Sequence, residues 1–283
     1  MHLSQAVQDK LIEHTRLLAQ GLQVVGLVNI QYIVAGEEVY IIEVNPRSSR
    51  TIPYISKVTG IPMVDLATRV MLDERLADLG YGTGLAPESG VYAIKVPVFS
   101  FEKLPDVEVS LGPEMKSTGE VLGLSRDYHQ AVFKGMEAAG MHVPQKGGVL
   151  MTVADADKQE LLPIAEGFEN LGYALYGTQG TAHELNCNHI ATNVVPPIGQ
   201  GDPDILQQMD QGKFDLVINT PTHGRQTQRD GFRIRRKAVE LKIPCLTSLD
   251  TAGALLTAME QGLQLGEMPL VELGEIEGKE ARA

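Results

Sequence analysis

Hydrophobic and polar residues follow two different periodicities along this chain. Apolar residues recur at helical spacing over residues 3–21, and two runs with strand-like alternation follow at 22–34 and 38–44. Because only Ala35-Gly36-Glu37 separates these runs, the sequence predicts an antiparallel hairpin. Further elements predicted in this half are helices near 63–79 and 127–139, a strand near 91–99 and an irregular segment over 112–123.

From residue 149 onwards the pattern changes to strands that alternate with helices. The predicted strands cover 149–153, 173–176, 189–195, 214–219 and 244–248, and the predicted helices cover 158–171, 203–211, 231–241 and 251–261. This alternation indicates an α/β fold with about five parallel strands and helices on both faces of the sheet. Proline and paired glycines at 141–148 are typical of a linker, so the predicted domains are 1–140 and 141–283.

Composition and charge exclude several classes of protein. The chain has 283 residues, 43% of them hydrophobic, and carries 24 Lys and Arg against 36 Asp and Glu, a net charge of −12. Disordered and fibrous proteins have other compositions, and an acidic chain is a poor nucleic-acid scaffold. No membrane-spanning run or secretory signal is visible, and two cysteines are too few for a disulfide framework. We therefore expect a cytoplasmic protein without membrane or nucleic-acid partners.

Carboxylate and amide side chains lie together on the predicted hairpin. Glu43 and Asn45 are two residues apart on one strand, so their side chains share a face, and Gln31 lies on the partner strand. One carboxylate with two amide oxygens suits Mg²⁺, which also keeps waters and bridges substrate phosphates. Arg47 and Arg50 follow and are able to clamp phosphoryl oxygens. The alternative is ordinary surface charge at a sheet edge before a proline turn.

A second group of polar residues follows predicted strands in the other half. Gly177-Thr178-Gln179-Gly180-Thr181 ends a strand and opens a helix, where backbone N–H groups and two hydroxyls form an anion site. Asn219 and Thr220 end a later strand at the same sheet edge, and Lys158 at a helix start supplies a positive charge. These features favour a phosphate-binding cradle. The alternative is that the two threonines only cap their helix.

The hairpin half resembles a known family. The run GLVNIQYIVAGEEVYIIEVNPRSSRTIPYISKVTGIPMVDLATRVM is similar to the closing part of an ATP-grasp domain. That run and LGPEMKSTGEVLG are similar to the second synthetase half of the carbamoyl-phosphate synthase large chain, and the resemblance extends over residues 3–261. It implies that Gln31, Glu43 and Asn45 hold Mg²⁺ or Mn²⁺ on ATP, with Gln31 and Glu43 also in the ATP site. It places Arg47 beside the phosphate that is transferred when ATP phosphorylates carbamate to carbamoyl phosphate.

The second half resembles the methylglyoxal-synthase-like domain, the allosteric module at the end of that large chain. The resemblance implies a Rossmann-like parallel sheet and a nucleotide effector, UMP or IMP, bound through its phosphate. The residues that match the phosphate site are Lys158, Thr178, Thr181, Asn219 and Thr220. One departure is Val194, where the family often has a lysine. Candidates to replace that charge are Arg225, Arg229 and Arg233, and the alternative is that these arginines form a solvated helix face.

The same domain type also occurs as free-standing methylglyoxal synthase, a lyase that acts on dihydroxyacetone phosphate. Asp202 falls near the catalytic aspartate of the lyase, but Arg229 stands where the lyase has a catalytic histidine. An arginine does not exchange protons near neutral pH, and His223, which lies nearby in the sequence, is the candidate to substitute for the histidine. The leading expectation is therefore the C-terminal portion of a carbamoyl-phosphate synthase large chain. The alternatives are a stand-alone module that binds a phosphate ligand, and the lyase.

The resemblance also implies parts and partners outside this sequence. The glycine-rich phosphate loop, the nucleotide-binding lysines and the adenine-binding strand of an ATP-grasp domain are not found before Leu22. We therefore expect this chain to make no carbamoyl phosphate by itself. The implied partners are the remainder of the large chain and the small glutamine amidotransferase subunit, in an oligomer that serves pyrimidine or arginine biosynthesis.

Overall fold

The chain divides into two compact units. The computed structural model describes residues 3–86, 89–103, 109, 115–142, 144–221, 230–263, 265–273 and 276. The first unit comprises Met1–Val91 with Leu270–Ala283, and the second comprises Tyr92–Pro269. The predicted boundary at residue 140 thus falls inside the second compact unit, and it stays a prediction about the domains of a longer protein. Among the helices that the structure describes, none combines the length and the hydropathy that a membrane span requires.

The first unit is built from an antiparallel hairpin and short helices. Its elements in chain order are α1 (Gln5–Gly21), β1 (Asn29–Ala35), β2 (Glu38–Asn45), α2 (Thr51–Thr59) and α3 (Met63–Met71). The hydroxyl of Ser4 accepts a hydrogen bond from Val7 N at 3.4 Å and so caps α1. The two strands form a two-stranded sheet, which confirms the predicted hairpin.

Three element boundaries of the first unit differ from the prediction. The strand expected from residue 22 begins only at Asn29, because Gln23 (φ 51°) and Gly26 (φ 94°) adopt left-handed conformations that interrupt an extended run. The helix expected over 63–79 ends at Met71, two residues before Asp73, whose φ is 70°. Helix α2 was not predicted; it ends at the left-handed Gly60, a common C-terminal signal.

The second unit begins with a further antiparallel pair of strands covered by a helix. Strand β3 (Tyr92–Val98) pairs with β4 (Gly119–Ser125), and α4 (Tyr128–Ala138) follows. The expectation of an irregular segment over 112–123 is wrong from residue 119 onwards, because pairing with β3 makes that part a strand. Helix α4 approaches β4 so closely that a methyl group on Gly123 would overlap the Ala131 carbonyl oxygen.

The rest of the second unit is a five-stranded parallel sheet with helices on both faces, as predicted. Its elements are β5 (Gly148–Thr152), α5 (Lys158–Asn170), β6 (Ala174–Gly177), α6 (Gln179–Cys187), β7 (Thr192–Val194), α7 (Ile205–Asp210), β8 (Leu216–Asn219), α8 (Asp230–Glu240), β9 (Cys245–Leu246) and α9 (Leu249–Glu260). The strand order is β7-β6-β5-β8-β9, so the winding direction reverses between β5 and β8. Ligands of such sheets bind at this reversal, beyond the carboxyl ends of the strands.

Alternating side chains of the central strand fill two separate cores. Val149 and Met151 pack on one face of the sheet with Phe168 of α5 and other residues of α5 and α9. Leu150 points to the opposite face, where it packs with residues of α7 and α8 such as Ile205. All five of these side chains are completely buried. The sheet is therefore fixed on both sides, and the carboxyl ends of its strands are held in place.

Candidate functional sites

The hairpin brings together the residues that the sequence predicted as metal ligands. Gln31 and Glu43 are directly opposite each other in the register of β1 and β2, so their side chains leave the sheet on the same face. Asn45 Nδ2 donates to Glu43 Oε1 at 2.9 Å, which places these two side chains together as well. The predicted common face is thus present, held by the register of the hairpin.

The donor set of this site fits Mg²⁺ in part. Gln31 and Glu43 are exposed and Asn45 is partly buried. The site offers one carboxylate and two amide oxygens, so an octahedral ion would need waters or phosphate oxygens for its remaining positions. Within the described ranges, no cluster of three or more His, Cys, Asp or Glu side chains could hold a metal. The hairpin residues therefore fit a metal that arrives with a phosphate ligand better than a metal held by protein alone.

The predicted arginine lies next to this face. Arg47 follows β2 directly; its backbone N–H donates to Asn45 O at 2.8 Å, and its Nη1 donates to Ser48 O at 3.0 Å. The side chain is exposed. The guanidinium thus stands at the end of the strand that carries Glu43, where it is accessible to an anionic ligand.

In the second unit, the end of the central strand collects three of the predicted cradle side chains. Thr152 Oγ1 accepts a hydrogen bond from Asn219 Nδ2. The next two backbone N–H groups donate to hydroxyls, Val153 N to Thr181 Oγ1 at 3.5 Å and Ala154 N to Thr220 Oγ1 at 2.9 Å. The three cradle side chains belong to α6, β8 and the residue after β8, so residues 152–154 tie these elements together.

The burial of these side chains separates them from the outer part of the cradle. Thr181 and Asn219 are 2% exposed and Thr220 is 8% exposed. Thr178 and the Lys158 side chain are partly exposed. The predicted residues therefore form two layers, an inner layer that is hydrogen-bonded within the protein and an outer layer that is open to a ligand.

The outer layer surrounds the first turn of α6. Thr178 is the N-cap residue of this helix, but its side chain makes no capping hydrogen bond. Ala182 N donates to Thr178 O at 2.8 Å, and the N–H groups of Gln179 and Gly180 meet no acceptor within the part of the chain that the structure describes. A methyl group on Gly180 would lie 3.2 Å from Lys158 Nζ, so the ammonium group is next to this helix start. The hydroxyl of Thr178 therefore does not cap α6.

Lys158 carries a counter-ion that the sequence analysis did not consider. Its Nζ lies 2.7 Å from Asp155 Oδ1, and the Asp155 side chain is 94% exposed. The hydrogen bond from Lys158, and then its charge, lower the pKa of the Asp155 carboxyl group. A carboxylate therefore occupies the position beside the lysine that an anionic ligand would take.

Arg235 is a further residue of this site that sequence reasoning missed. Its side chain is buried, and its Nη1 donates to Asn219 Oδ1 at 2.5 Å. Gly231, one turn earlier on α8, leaves room for this contact, because a methyl group there would lie 3.2 Å from Arg235 Nη1. The available signal was the helical spacing of Arg235 with the apolar Ala238, three residues later, which places both on one face of α8.

The structure describes only some of the residues proposed for compensating charge or for lyase chemistry. Arg225 and Arg229 lie outside the described residues, and Arg233 is exposed on α8. Val194, which departs from the resembled family, is 59% exposed at the end of β7. Asp202 is exposed on the loop before α7. The described residues thus supply one possible proton-transfer group for lyase chemistry but no assembled acid–base pair.

Two family models match separate parts of the chain. Residues 1–79 match the model described as "Carbamoyl-phosphate synthase L chain, ATP binding domain", and residues 160–247 match the model described as "MGS-like domain". The first match contains the hairpin residues, and the second contains all the predicted cradle residues except Lys158.

A curated relative and two solved structures complete the comparisons. The carbamoyl phosphate synthase large chain of Lachnoclostridium phytofermentans is 50% identical over 274 residues, which are 97% of this chain and 26% of that protein. A methylglyoxal synthase from Elizabethkingia anophelis NUHP1 is 20% identical over 41% of this chain and 80% of its own, with a TM-score of 0.35. ForH is 19% identical over 48% of this chain and 91% of its own, with a TM-score of 0.31. TM-scores this low do not establish a common fold.

Proposed function

Because this chain is related over almost its whole length to the carbamoyl phosphate synthase large chain, we propose that it works as the C-terminal portion of such an enzyme. It spans about a quarter of the length of that relative, 26%, so the activity proposed here belongs to the complete large chain. The observation that carries the regulatory half of the proposal is the cradle at the end of β5, where Lys158 and the first turn of α6 face outwards.

The hairpin would take part in the phosphorylation of carbamate by ATP. Gln31, Glu43 and Asn45 are proposed to hold Mg²⁺ or Mn²⁺ on the ATP phosphates, since their side chains share a face and offer oxygen ligands. The metal, when bound, neutralises phosphate charge. Arg47 would orient the phosphoryl group through its planar guanidinium, which matches phosphate oxygens.

The proposed reaction depends on partners outside this sequence. The remainder of the large chain would supply the other ATP-binding residues, and a small glutamine amidotransferase subunit would supply ammonia for carbamate formation. We propose that the whole enzyme is a cytoplasmic oligomer in pyrimidine or arginine biosynthesis, and that this chain alone makes no carbamoyl phosphate. The match of residues 1–79 to the ATP binding domain of the large chain supports the assignment to such an enzyme.

The second unit would bind a nucleotide monophosphate effector, UMP or IMP, through its phosphate. The N–H groups of Gln179 and Gly180 are hydrogen-bond donors at the helix start beside Lys158. The hydroxyl of Thr178 donates to Thr181 Oγ1 at 3.5 Å and would have to turn to reach a phosphate. A single ammonium group beside a helix N-terminus complements the charge of a phosphate monoester. If the effector binds one conformation of the enzyme better than another, it changes the affinity for ATP, and ATP changes its affinity reciprocally.

A titration of this chain with UMP and IMP tests the effector site directly. We expect saturable calorimetric binding that is lost in Lys158→Ala. The matched control is Lys237→Ala, because Lys237 makes a similar ion pair, 2.6 Å from Asp210, on α8. No binding by the folded wild-type chain, or equal loss in both variants, would contradict the effector site.

Two control reactions separate the alternatives. A stand-alone phosphate-binding module would bind these nucleotides but would not change the turnover of the complete enzyme. A lyase would convert dihydroxyacetone phosphate, and we expect no such conversion, because Arg229 stands where the lyase has a catalytic histidine and an arginine does not exchange protons near neutral pH. Measurable conversion that depends on Asp202 would favour the lyase.

The ligase half is tested in the complete large chain with its small subunit. Glu43→Gln removes the only carboxylate of the hairpin site, so we expect ATP-dependent carbamate phosphorylation to fall by about 100-fold or more. Glu38→Gln is the control, because Glu38 is on the same strand but pairs with Lys10 at 3.7 Å. Unchanged activity in Glu43→Gln would remove this residue from the proposed metal site.

A further inference from the structure

The buried arginine of the second unit contacts the cradle through an amide. Arg235 is 5% exposed and Asn219 is 2% exposed, and Arg235 Nη1 donates to Asn219 Oδ1 at 2.5 Å. The other end of the same amide, Asn219 Nδ2, donates to Thr152 Oγ1 at the end of β5. The three side chains form one continuous hydrogen-bonded row from α8 through β8 to β5.

The chemistry of the guanidinium determines which way this amide points. A guanidinium has donors only, so it can be satisfied by the amide oxygen but not by the amide nitrogen. Arg235 therefore holds Asn219 Oδ1 towards α8, and the NH₂ group must face the end of β5. A hydroxyl at position 152 could accept either orientation, since it both donates and accepts. Arg235 is thus the group that makes one orientation preferable.

The orientation of Asn219 sets the hydrogen-bonding character of the inner layer. Thr181 Oγ1 and Thr220 Oγ1 each accept a backbone N–H from residues 153 and 154, which leaves their hydroxyl hydrogens to donate elsewhere. The NH₂ group of Asn219 uses one hydrogen for Thr152 Oγ1, which leaves its second hydrogen as a further donor of the inner layer. A reversed amide would place an acceptor oxygen there and would oppose a phosphate group.

We propose that Arg235 is a positioning residue of the cradle, which fixes the amide of Asn219 as a donor and so selects a ligand group that only accepts hydrogen bonds, such as a phosphoryl group. This inference rests on the proposed effector site and adds a residue to it. Arg235 acts through Asn219, whose second amide hydrogen would be a further donor to the phosphate, in addition to Lys158 and the first turn of α6.

Three substitutions at position 235 separate its contributions, measured by calorimetric titration with UMP or IMP. Arg235→Met removes the charge and every donor, Arg235→Gln keeps a donor without the charge, and Arg235→Lys keeps both. We expect Arg235→Met to weaken nucleotide binding about tenfold, Arg235→Gln to weaken it less, and Arg235→Lys to stay within about threefold of the wild type. Arg236→Met is the control, because Arg236 contacts Phe101 O and Glu240 instead.

A second measurement reports on the amide itself. In a ¹⁵N-labelled chain, the side-chain NH₂ signals of Asn219, assigned by their loss in Asn219→Ser, should exchange slowly with solvent. We expect fast exchange in Arg235→Met and slow exchange in Arg235→Lys and in Arg236→Met. This readout needs no ligand. Arg235→Gln supplies it if Arg235→Met fails to fold, because a glutamine amide both donates and accepts and therefore no longer fixes one orientation of Asn219.

The outcomes distinguish this inference from the proposed function. If the wild type binds no nucleotide, the effector site is wrong, and the exchange rates still decide whether Arg235 orients Asn219. If the wild type binds and a folded Arg235→Met binds equally well with slow NH₂ exchange, the positioning role is wrong and the effector site stands. Equal weakening by Arg235→Met and Arg236→Met would assign the effect to the stability of α8 and would also overturn the proposal.

Discussion

The two compact units bury their apolar side chains to very different degrees. In the second unit, Leu150 and Phe168 are completely buried, and both faces of the parallel sheet are covered. In the first unit, Tyr40 and Ile42 of β2 are 56% and 57% exposed, and the hairpin is a two-stranded sheet. A two-stranded hairpin is marginally stable in water unless another element covers it. The cradle residues of the second unit therefore rest on a complete core, whereas Gln31, Glu43 and Asn45 lie on a hairpin whose apolar side chains are largely exposed.

Hydrogen exchange should show the largest difference between the units. We expect the amides of β5 and β8 to open with free energies on the order of 5 kcal/mol greater than those of β1 and β2, because core strands exchange by global unfolding and uncovered hairpins by local opening. Exchange followed by mass spectrometry on the intact chain measures this. Equal protection of the hairpin and the parallel sheet would show that the two units do not differ in local stability.

Truncation of core side chains gives the next largest effect. Leu150→Ala leaves a cavity in a completely buried site, so we expect a loss of about 3 kcal/mol in the unfolding free energy of the second unit. Ile42→Ala in the first unit removes a side chain that is 57% exposed, and we expect a change of less than about 0.5 kcal/mol. Denaturant titrations measure both, and similar losses would mean that the hairpin is covered in solution.

Two glycines test how tightly the second unit is packed. Gly123→Ala would press a methyl group against the Ala131 carbonyl oxygen and to 2.5 Å from Gly135 N, so we expect a loss of about 2–3 kcal/mol. Gly253→Ala in α9 is the control: its nearest neighbour would be Ile164 Cδ1 at 3.9 Å, and we expect stabilisation by about 0.5–1 kcal/mol. Thermal unfolding of the two variants compares them.

High pH should weaken the second unit through one tyrosine. Burial, and then the charge of Asp215, raise the pKa of Tyr173 to about 12, and its hydroxyl donates to Pro144 O. The folded state therefore keeps a proton that the unfolded chain loses first, so stability is complete below the unfolded pKa and falls as pH rises towards 12. Tyr173→Phe should lose about 1 kcal/mol at neutral pH and show a smaller alkaline decrease. An unchanged alkaline slope would show that other groups cause it.

The smallest predicted effect concerns the counter-ion of the cradle. Asp155→Asn removes the carboxylate beside Lys158, so we expect nucleotide binding to tighten about threefold, as is typical of an exposed ion pair. Asp157→Asn removes the same charge two residues away and controls for net charge. Equal tightening in both variants would mean that Asp155 has no specific competing role.

Local signals predicted most of the elements that make up the fold. The helix predicted over 3–21 is found as Gln5–Gly21, and the alternation after residue 149 produced the parallel sheet and its helices. Strand β4 was missed because its partner, β3, lies about twenty residues earlier, so its formation depends on pairing rather than on its own pattern.

Some features of the candidate sites were also predictable from local sequence, and others were not. The facing of Glu43 and Asn45 followed from strand periodicity, and the position of Thr178 at a helix start followed from its sequence motif. The contact of Arg235 with Asn219 could not be predicted from the sequence, because an arginine on a helix is usually solvated. Only the packed structure shows that this arginine is buried.

By itself, the sequence of this protein determined the periods of its helices and strands, the hairpin and the residue types of both sites, because these depend on neighbours within a few positions. Only the tertiary structure decided which polar side chains became an inner, buried layer and which stayed open to a ligand. Residues 152–154 meet side chains from positions 181, 219 and 220 at one sheet edge. These hydrogen bonds depend on the order of the strands in the sheet. Long-range packing selects that order, and no local sequence pattern specifies it.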